Sequence, residues 1–220
     1  MATTAKQRII AILRGDEAKR IRFTAATTTA GDITINQATF ATVADAIEKL
    51  KIKVTVRTHF DSGAAAEYHP DAVPPVPLPM GLGAIPGFTS GELLVPPIVG
   101  RDQEEYAIHE CTHAFFDLQS IDIGATEDEA ICYVVDALYA RMTGLPPSRW
   151  GTTKPIYQAS HDVAGRLLQQ YQLGVAGIPR VDDTAFKRLA LAVATDPTYF
   201  SGTAGLIHWF TGDNHYTHDG

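Results

Sequence analysis

The stretch from about residue 127 to 143 constrains the architecture more than any other part of the chain. Ala130, Ile131, Val134, Val135, Ala137 and Leu138 make it apolar nearly all round at helical spacing. A helix of that kind has no solvent face, so it must be central, with other elements packed around it. The preceding segment, 101–119, has a single apolar stripe of Ala107, Cys111, Ala114, Phe115 and Leu118 and reads as an amphipathic helix. The few residues from Ser120 to Ala125 leave room only for a tight connection, so the two helices are expected to be neighbours.

The rest of the chain divides around this pair. Residues 5–14 read as a short helix, and the Thr- and Ile-rich segments 21–28 and 32–36 as strands. Phe40, Val43, Ala44, Ile47 and Leu50 place an amphipathic helix over 37–50, and the alternation of Ile52, Val54 and Val56 places a strand over 51–57. The order strand, helix, strand suggests a small β-α-β lobe. From His69 to Pro97 the density of proline and glycine excludes regular helix. This is a long covering loop, expected to limit access to whatever lies beneath it. Within it Gly91–Pro96 has the character of a short edge strand. Two further helices are expected at about 155–172 and 183–194, and the tail after Gly212 reads as loop. These elements make an α+β fold in one domain, with an α/β part over 1–100 and a helical part over 101–220.

The chemistry-bearing residues lie in the first helix of the central pair. His109-Glu110-Cys111-Thr112-His113 is an H-E-x-x-H motif. Positions four apart on a helix lie one above the other, so both imidazoles project from one face and can share a metal ion. Glu110 follows the first histidine directly, where it can reach a metal-activated water as general base without being a ligand. Zinc is the ion such a pair suits. The continuation H-x-x-G-x-x-H is excluded, since Phe116 and Gln119 occupy the glycine and last histidine positions. An acid from a later helix is then the expected third ligand, with a site that has no acid ligand left open. Thr126-Glu127-Asp128-Glu129 opens the next helix, and Glu129 is the first candidate because it begins the apolar part, where a carboxylate needs a partner. Glu127, Asp128 and Asp117 remain open. The bland reading of the same residues is a T-x-x-E capping box from Thr126 to Glu129.

His109-Glu110-Cys111-Thr112-His113 followed by Glu129-Ala130 resembles the gluzincin group of zinc metallopeptidases, over about residues 88–140. The resemblance implies a zincin-like fold, an active-site helix pair, a bound zinc ion, peptide or protein substrates and an edge strand that aligns them, for which Gly91–Val95 is the candidate. Thermolysin-type members place an aspartate four residues after the ligand glutamate to orient a zinc histidine. That position here is Tyr133, leaving Asp136 or Asp117 to do this work. Such a hydrolase also needs a donor for the developing oxyanion. His208, His215, Tyr216, His218 and Tyr133 are the candidates. His59, His69 and His161 have no partner spacing and read as structural or surface residues. Cys111 reads as core, and so does Cys132, although it lies close enough to Glu129 in sequence to approach the site. Hydrolysis of a non-peptide amide or ester, and a non-catalytic zinc site, are the competing readings.

Composition narrows the partners. With a net charge of -7 and no basic run or aromatic-basic stripe, nucleic acid is excluded as a partner. No stretch approaches the roughly 20 apolar residues of a membrane span. No signal-peptide core precedes a cleavage site, so the expected location is cytoplasmic.

Overall fold

The computed structural model describes residues 3–60, 65–70, 91–145 and 154–197, and the backbone of 76–77 and 84–85. Its class is α+β, with small sheets in the N-terminal half and a mainly helical C-terminal half. Helix α1 (Ala5–Leu13) starts at a capping box, in which Thr4 accepts from the Gln7 amide and the Gln7 side chain accepts from the Thr4 amide. A five-residue helix, α2 (Asp16–Arg20), follows; it has acids in its first turn and bases in its last, as the helix dipole favours. Strands β1 (Phe23–Ala26) and β2 (Asp32–Ile35) form an antiparallel hairpin, and α3 (Gln37–Glu48) is capped by Asn36. Then come β3 (Ile52–Val56), β4 (Glu67–His69), β5 (Val76–Pro77), β6 (Ala84–Ile85) and β7 (Gly91–Val95). The helical half is α4 (Arg101–Leu118), α5 (Ala125–Thr143), α6 (Pro155–Gln172) and α7 (Asp183–Thr195).

Two strand expectations are corrected. The order β2-α3-β3 is not a β-α-β unit within one sheet, because among the described residues β2 pairs with β1 alone while β3 belongs to a separate sheet of order β3-β7-β4. Nor is Gly91–Val95 an edge strand. It is the central strand, parallel to β3 in the register Ile52↔Gly91 and antiparallel to β4 in the register Glu67↔Leu94. The reason lies in its burial. Leu93 and Leu94 point to opposite faces and both are buried, which an edge strand with one solvated face does not require. Pro96 ends the strand and does not interrupt its ladder. Gly91 is needed for a close approach, since a Cβ there would stand 2.9 Å from the Tyr68 hydroxyl.

As its all-round apolar pattern requires, α5 is central, packing on α4, α6 and α7. Ala130, Ile131, Val134, Val135 and Leu138 are fully buried. The helix ends at Gly144, whose φ of 74° is the left-handed conformation glycine adopts without strain. One apolar cluster runs continuously from Ile9 in α1 to Val193 in α7 and joins the two halves. Among the described residues, no helix is long and apolar enough to cross a membrane.

Candidate metal centre

Three pairings define how α4 and α5 meet. Glu104 meets Tyr139, His109 meets Asp136, and His113 meets Asp128, so the helices run antiparallel along each other. The motif helix is unbroken between the two histidines. Their rings lie with centroids 5.0 Å apart at 64°, on the face turned toward α5.

The Glu129 carboxylate stands opposite both rings. Its Oε2 is 3.5 Å from His109 Nε2 and its Oε1 is 3.7 Å from His113 Nε2. Those separations exceed a good N–H···O hydrogen bond. They are close to the roughly 3.3 Å between neighbouring ligands of one tetrahedral zinc with bonds near 2.0–2.1 Å. The other ring nitrogens are held from behind. His109 Nδ1 donates to Asp136 Oδ2 at 2.9 Å, and His113 Nδ1 donates to Asp128 Oδ1 at 2.8 Å. A carboxylate on Nδ1 fixes the tautomer whose Nε2 lone pair points inward, which is the state a metal needs. Glu110 is buried beside them, and its Oε2 makes no hydrogen bond among the described residues.

Cys132, expected in the core with an approach to the site left open, is both buried in the core and part of this constellation. Its Sγ lies 3.4 Å from His113 Nδ1 and 3.6 Å from Asp128 Oδ1. Donor atoms of His109, His113 and Cys132 all fall within 4.8 Å of one another, so this group can hold a metal ion. No family model, curated protein or solved structure matches the chain.

Charge is concentrated here. Burial alone would lower the pKa of His109, but the Asp136 charge and hydrogen bond, with help from Glu129 and Glu110, hold it well above the ordinary histidine value. Burial also raises Asp136, with Glu110 and Glu129 pushing the same way against His109. Burial first, then Asp128 and Glu129, push the Cys132 thiol well up. Four carboxylates, Glu110, Asp128, Glu129 and Asp136, thus surround two imidazoles, an arrangement to which a divalent cation brings compensating charge.

The remaining expected residues fall as follows. Glu127 points elsewhere, accepting from the Thr28 amide at 2.8 Å and so tying α5 to the β1–β2 turn. Asp117 is exposed and takes a 2.7 Å hydrogen bond from Tyr68, which anchors β4 to the end of α4. Thr126 caps nothing: Gly124 is the N-cap of α5, and Thr126 Oγ1 lacks a partner among the described residues. The capping-box reading of Glu129 therefore fails. Tyr133 packs edge-on against His109, with centroids 5.1 Å apart. His208, His215, Tyr216 and His218 lie outside the described residues, as does most of the covering loop. His69 pairs with Glu67 on β4, His161 with Arg141, and His59 is exposed, so all three are structural or surface residues. Cys111 is fully buried in the core.

Sequence reasoning did not foresee the pairing of Asp128 with His113, or that Cys132 would come to the Nδ1 side of that histidine. A signal was present. Asp128 and Cys132, and beside them Glu129, Tyr133 and Asp136, recur at helical spacing on an otherwise apolar helix.

Proposed function

We propose that this protein is a zinc-dependent hydrolase of the zincin kind that cleaves peptide bonds, with His109, His113 and Glu129 as ligands and Glu110 as general base. The observation that carries the reading is the convergence of both Nε2 atoms on one carboxylate, while each Nδ1 is held by its own aspartate. Glu129 is preferred to Cys132 as third ligand because the thiol approaches His113 from its Nδ1 side, which Asp128 already occupies. His109, His113 and Glu129 would hold the zinc, which would supply the Lewis acidity that brings the pKa of a water to about 7. Glu110 takes that water's proton as the water attacks the scissile carbonyl, and returns it to the departing amine. Its unpartnered Oε2 is suited to this, since no protein donor competes for it among the described residues.

The likeness to gluzincins agrees with this reading, and its one departure has a local substitute. Tyr133 stands where an aspartate is usual, and Asp136, one turn further along α5, orients His109 instead. In this reading β4, fastened to α4 through Tyr68 and Asp117, is the strand that lines up an extended peptide. The competing reading is a closed, non-catalytic site in which Cys132 also ligates; it draws on the grouping of that thiol with the two histidines.

Zinc content and peptide hydrolysis of wild type, Glu110→Gln and Glu129→Ala decide between them. The hydrolase reading expects zinc in the first two, loss of zinc in the third, and hydrolysis by wild type alone. Equal zinc in all three, or undiminished hydrolysis by Glu110→Gln, overturns it.

A further inference from the structure

The His109 imidazole is supported by rings from two other helices. Tyr133 of α5 meets it edge-on, with centroids 5.1 Å apart and planes at 78°. Tyr157, in the first turn of α6, meets Tyr133 in the same way, at 5.9 Å and 80°. The three rings form a line from the α4 motif through α5 to α6. The Tyr157 hydroxyl also feels the charge of Asp136, the carboxylate that bonds His109. Burial raises its pKa, and Asp136, Tyr106 and Glu105 add to the shift while His109 opposes it. The Asp136 bond fixes one atom of the imidazole, and a ring pressed against its side limits the tilt that one hydrogen bond leaves free.

We propose that Tyr157 is a positioning residue for the metal centre, acting through Tyr133 to hold the tilt of His109, so that α6 tunes metal affinity without contributing a ligand. This rests on the reading of His109 as a ligand. The role belongs to the ring. A phenylalanine keeps the edge-to-face contact, whereas an aliphatic side chain loses the directed part of it, worth roughly three- to tenfold in an equilibrium constant for each such contact.

The test is metal affinity and cobalt(II) absorption of wild type, Tyr157→Phe, Tyr157→Leu and Tyr157→Ala, with zinc affinity read by competition against a chromophoric chelator. Leu167→Ala, which opens the buried face of α6 away from these rings, controls for general loosening. Tyr157→Ala and Tyr157→Leu are expected to weaken zinc binding roughly tenfold and to shift the cobalt bands. Tyr157→Phe should restore both, and Leu167→Ala should lower the melting temperature while leaving the bands unmoved. Should the alanine variant not fold, the leucine variant carries the same expectation. Cobalt bands and affinity that match wild type in the leucine variant, or that move equally in Leu167→Ala, overturn the proposal. A wild-type protein that takes up neither zinc nor cobalt would instead remove the metal reading itself, and this proposal with it.

Discussion

Two groups of buried acids lie along the same pair of helices and are settled in opposite ways. At Glu104, one oxygen receives Arg8 at 3.0 Å and the other receives the Tyr139 hydroxyl at 2.9 Å and Arg101 at 3.3 Å. Each acceptor is answered, partly by full positive charge, and α1, α4 and α5 are tied together as a result. Burial first, and then Glu104, raise the pKa of Tyr139, so its hydroxyl stays protonated and remains a donor. Further along α4 the acids meet imidazoles. Asp136, Asp128 and Glu129 face His109 and His113, and Glu110 Oε2 and Asp136 Oδ1 are buried without a hydrogen-bond partner among the described residues. A buried carboxylate oxygen left in that state is costly to stability. The first group is a closed structural network. The second carries polar capacity that the described side chains do not satisfy, and a bound ion would answer it.

The largest effect expected from this contrast separates two glutamates on α4. Glu110→Gln should lower hydrolysis by about 10²–10⁴-fold with zinc content intact, because a general base is lost and no ligand is. Its stability should hold or rise, since a buried charge has been removed. Glu104→Gln should do the reverse: unfolding free energy falls by about 1–3 kcal/mol in a denaturant titration, while turnover of the folded fraction is unchanged. Two variants that lost activity and stability together would erase the distinction. Next in size is removal of the ion. Zinc at about a hundredfold its dissociation constant should add about 2.7 kcal/mol over the chelated protein, roughly 5–10 °C in melting temperature for a chain of this size. Glu104→Gln should lower both melting curves and leave the difference between them intact.

The contrast was partly legible beforehand. Helices α4 to α7 and α3 follow from apolar periodicity, a local signal, and their bounds lie close to the expected ones. The H-E-x-x-H pair is local too, and one helical turn is enough to bring both imidazoles to the same face. What was missed depends on partners distant in the chain. The five residues of α2 are too few to show a period. The central place of β7 depends on parallel pairing with β3, about forty residues earlier, and no feature of Gly91–Val95 alone specifies that. The contacts of Asp128, Cys132 and Tyr157 are set by the crossings of α4, α5 and α6, which decide which polar positions of α5 meet which histidine. Glu129 needed the same crossing, together with the start of α5 at Ala125, before the capping alternative could be set aside.

A smaller effect tests the groups behind the histidines. Asp136→Asn and Asp128→Asn should each weaken zinc binding by about 10–100-fold, measured by chelator competition, since an amide can present its NH₂ to Nδ1 and favour the wrong tautomer. Affinities within error of wild type would mean that the aspartates are only packed there.

The smallest expected effect is one of pH. In the metal-free protein the pKa of His109 is raised well above 6.5, chiefly by Asp136 against the opposing effect of burial. A raised histidine stabilises the fold fully below its unfolded pKa, and that contribution is lost as pH rises through the folded value. Asp136, raised from 3.8, acts in the same direction at lower pH. The chelated protein should therefore lose melting temperature as pH rises above the ordinary histidine value of about 6.5. Zinc needs the unprotonated ring, so its binding releases that proton and strengthens over the same range, by at most about 1.4 kcal/mol per pH unit for one proton. The gap between zinc-loaded and chelated melting curves should widen with pH in wild type and in Glu104→Gln alike. It should flatten in Asp136→Asn, where the charge that raises His109 is gone. A gap that stayed constant in wild type would show that His109 holds no proton for the ion to displace, and the two acidic groups would then differ in less than their chemistry implies.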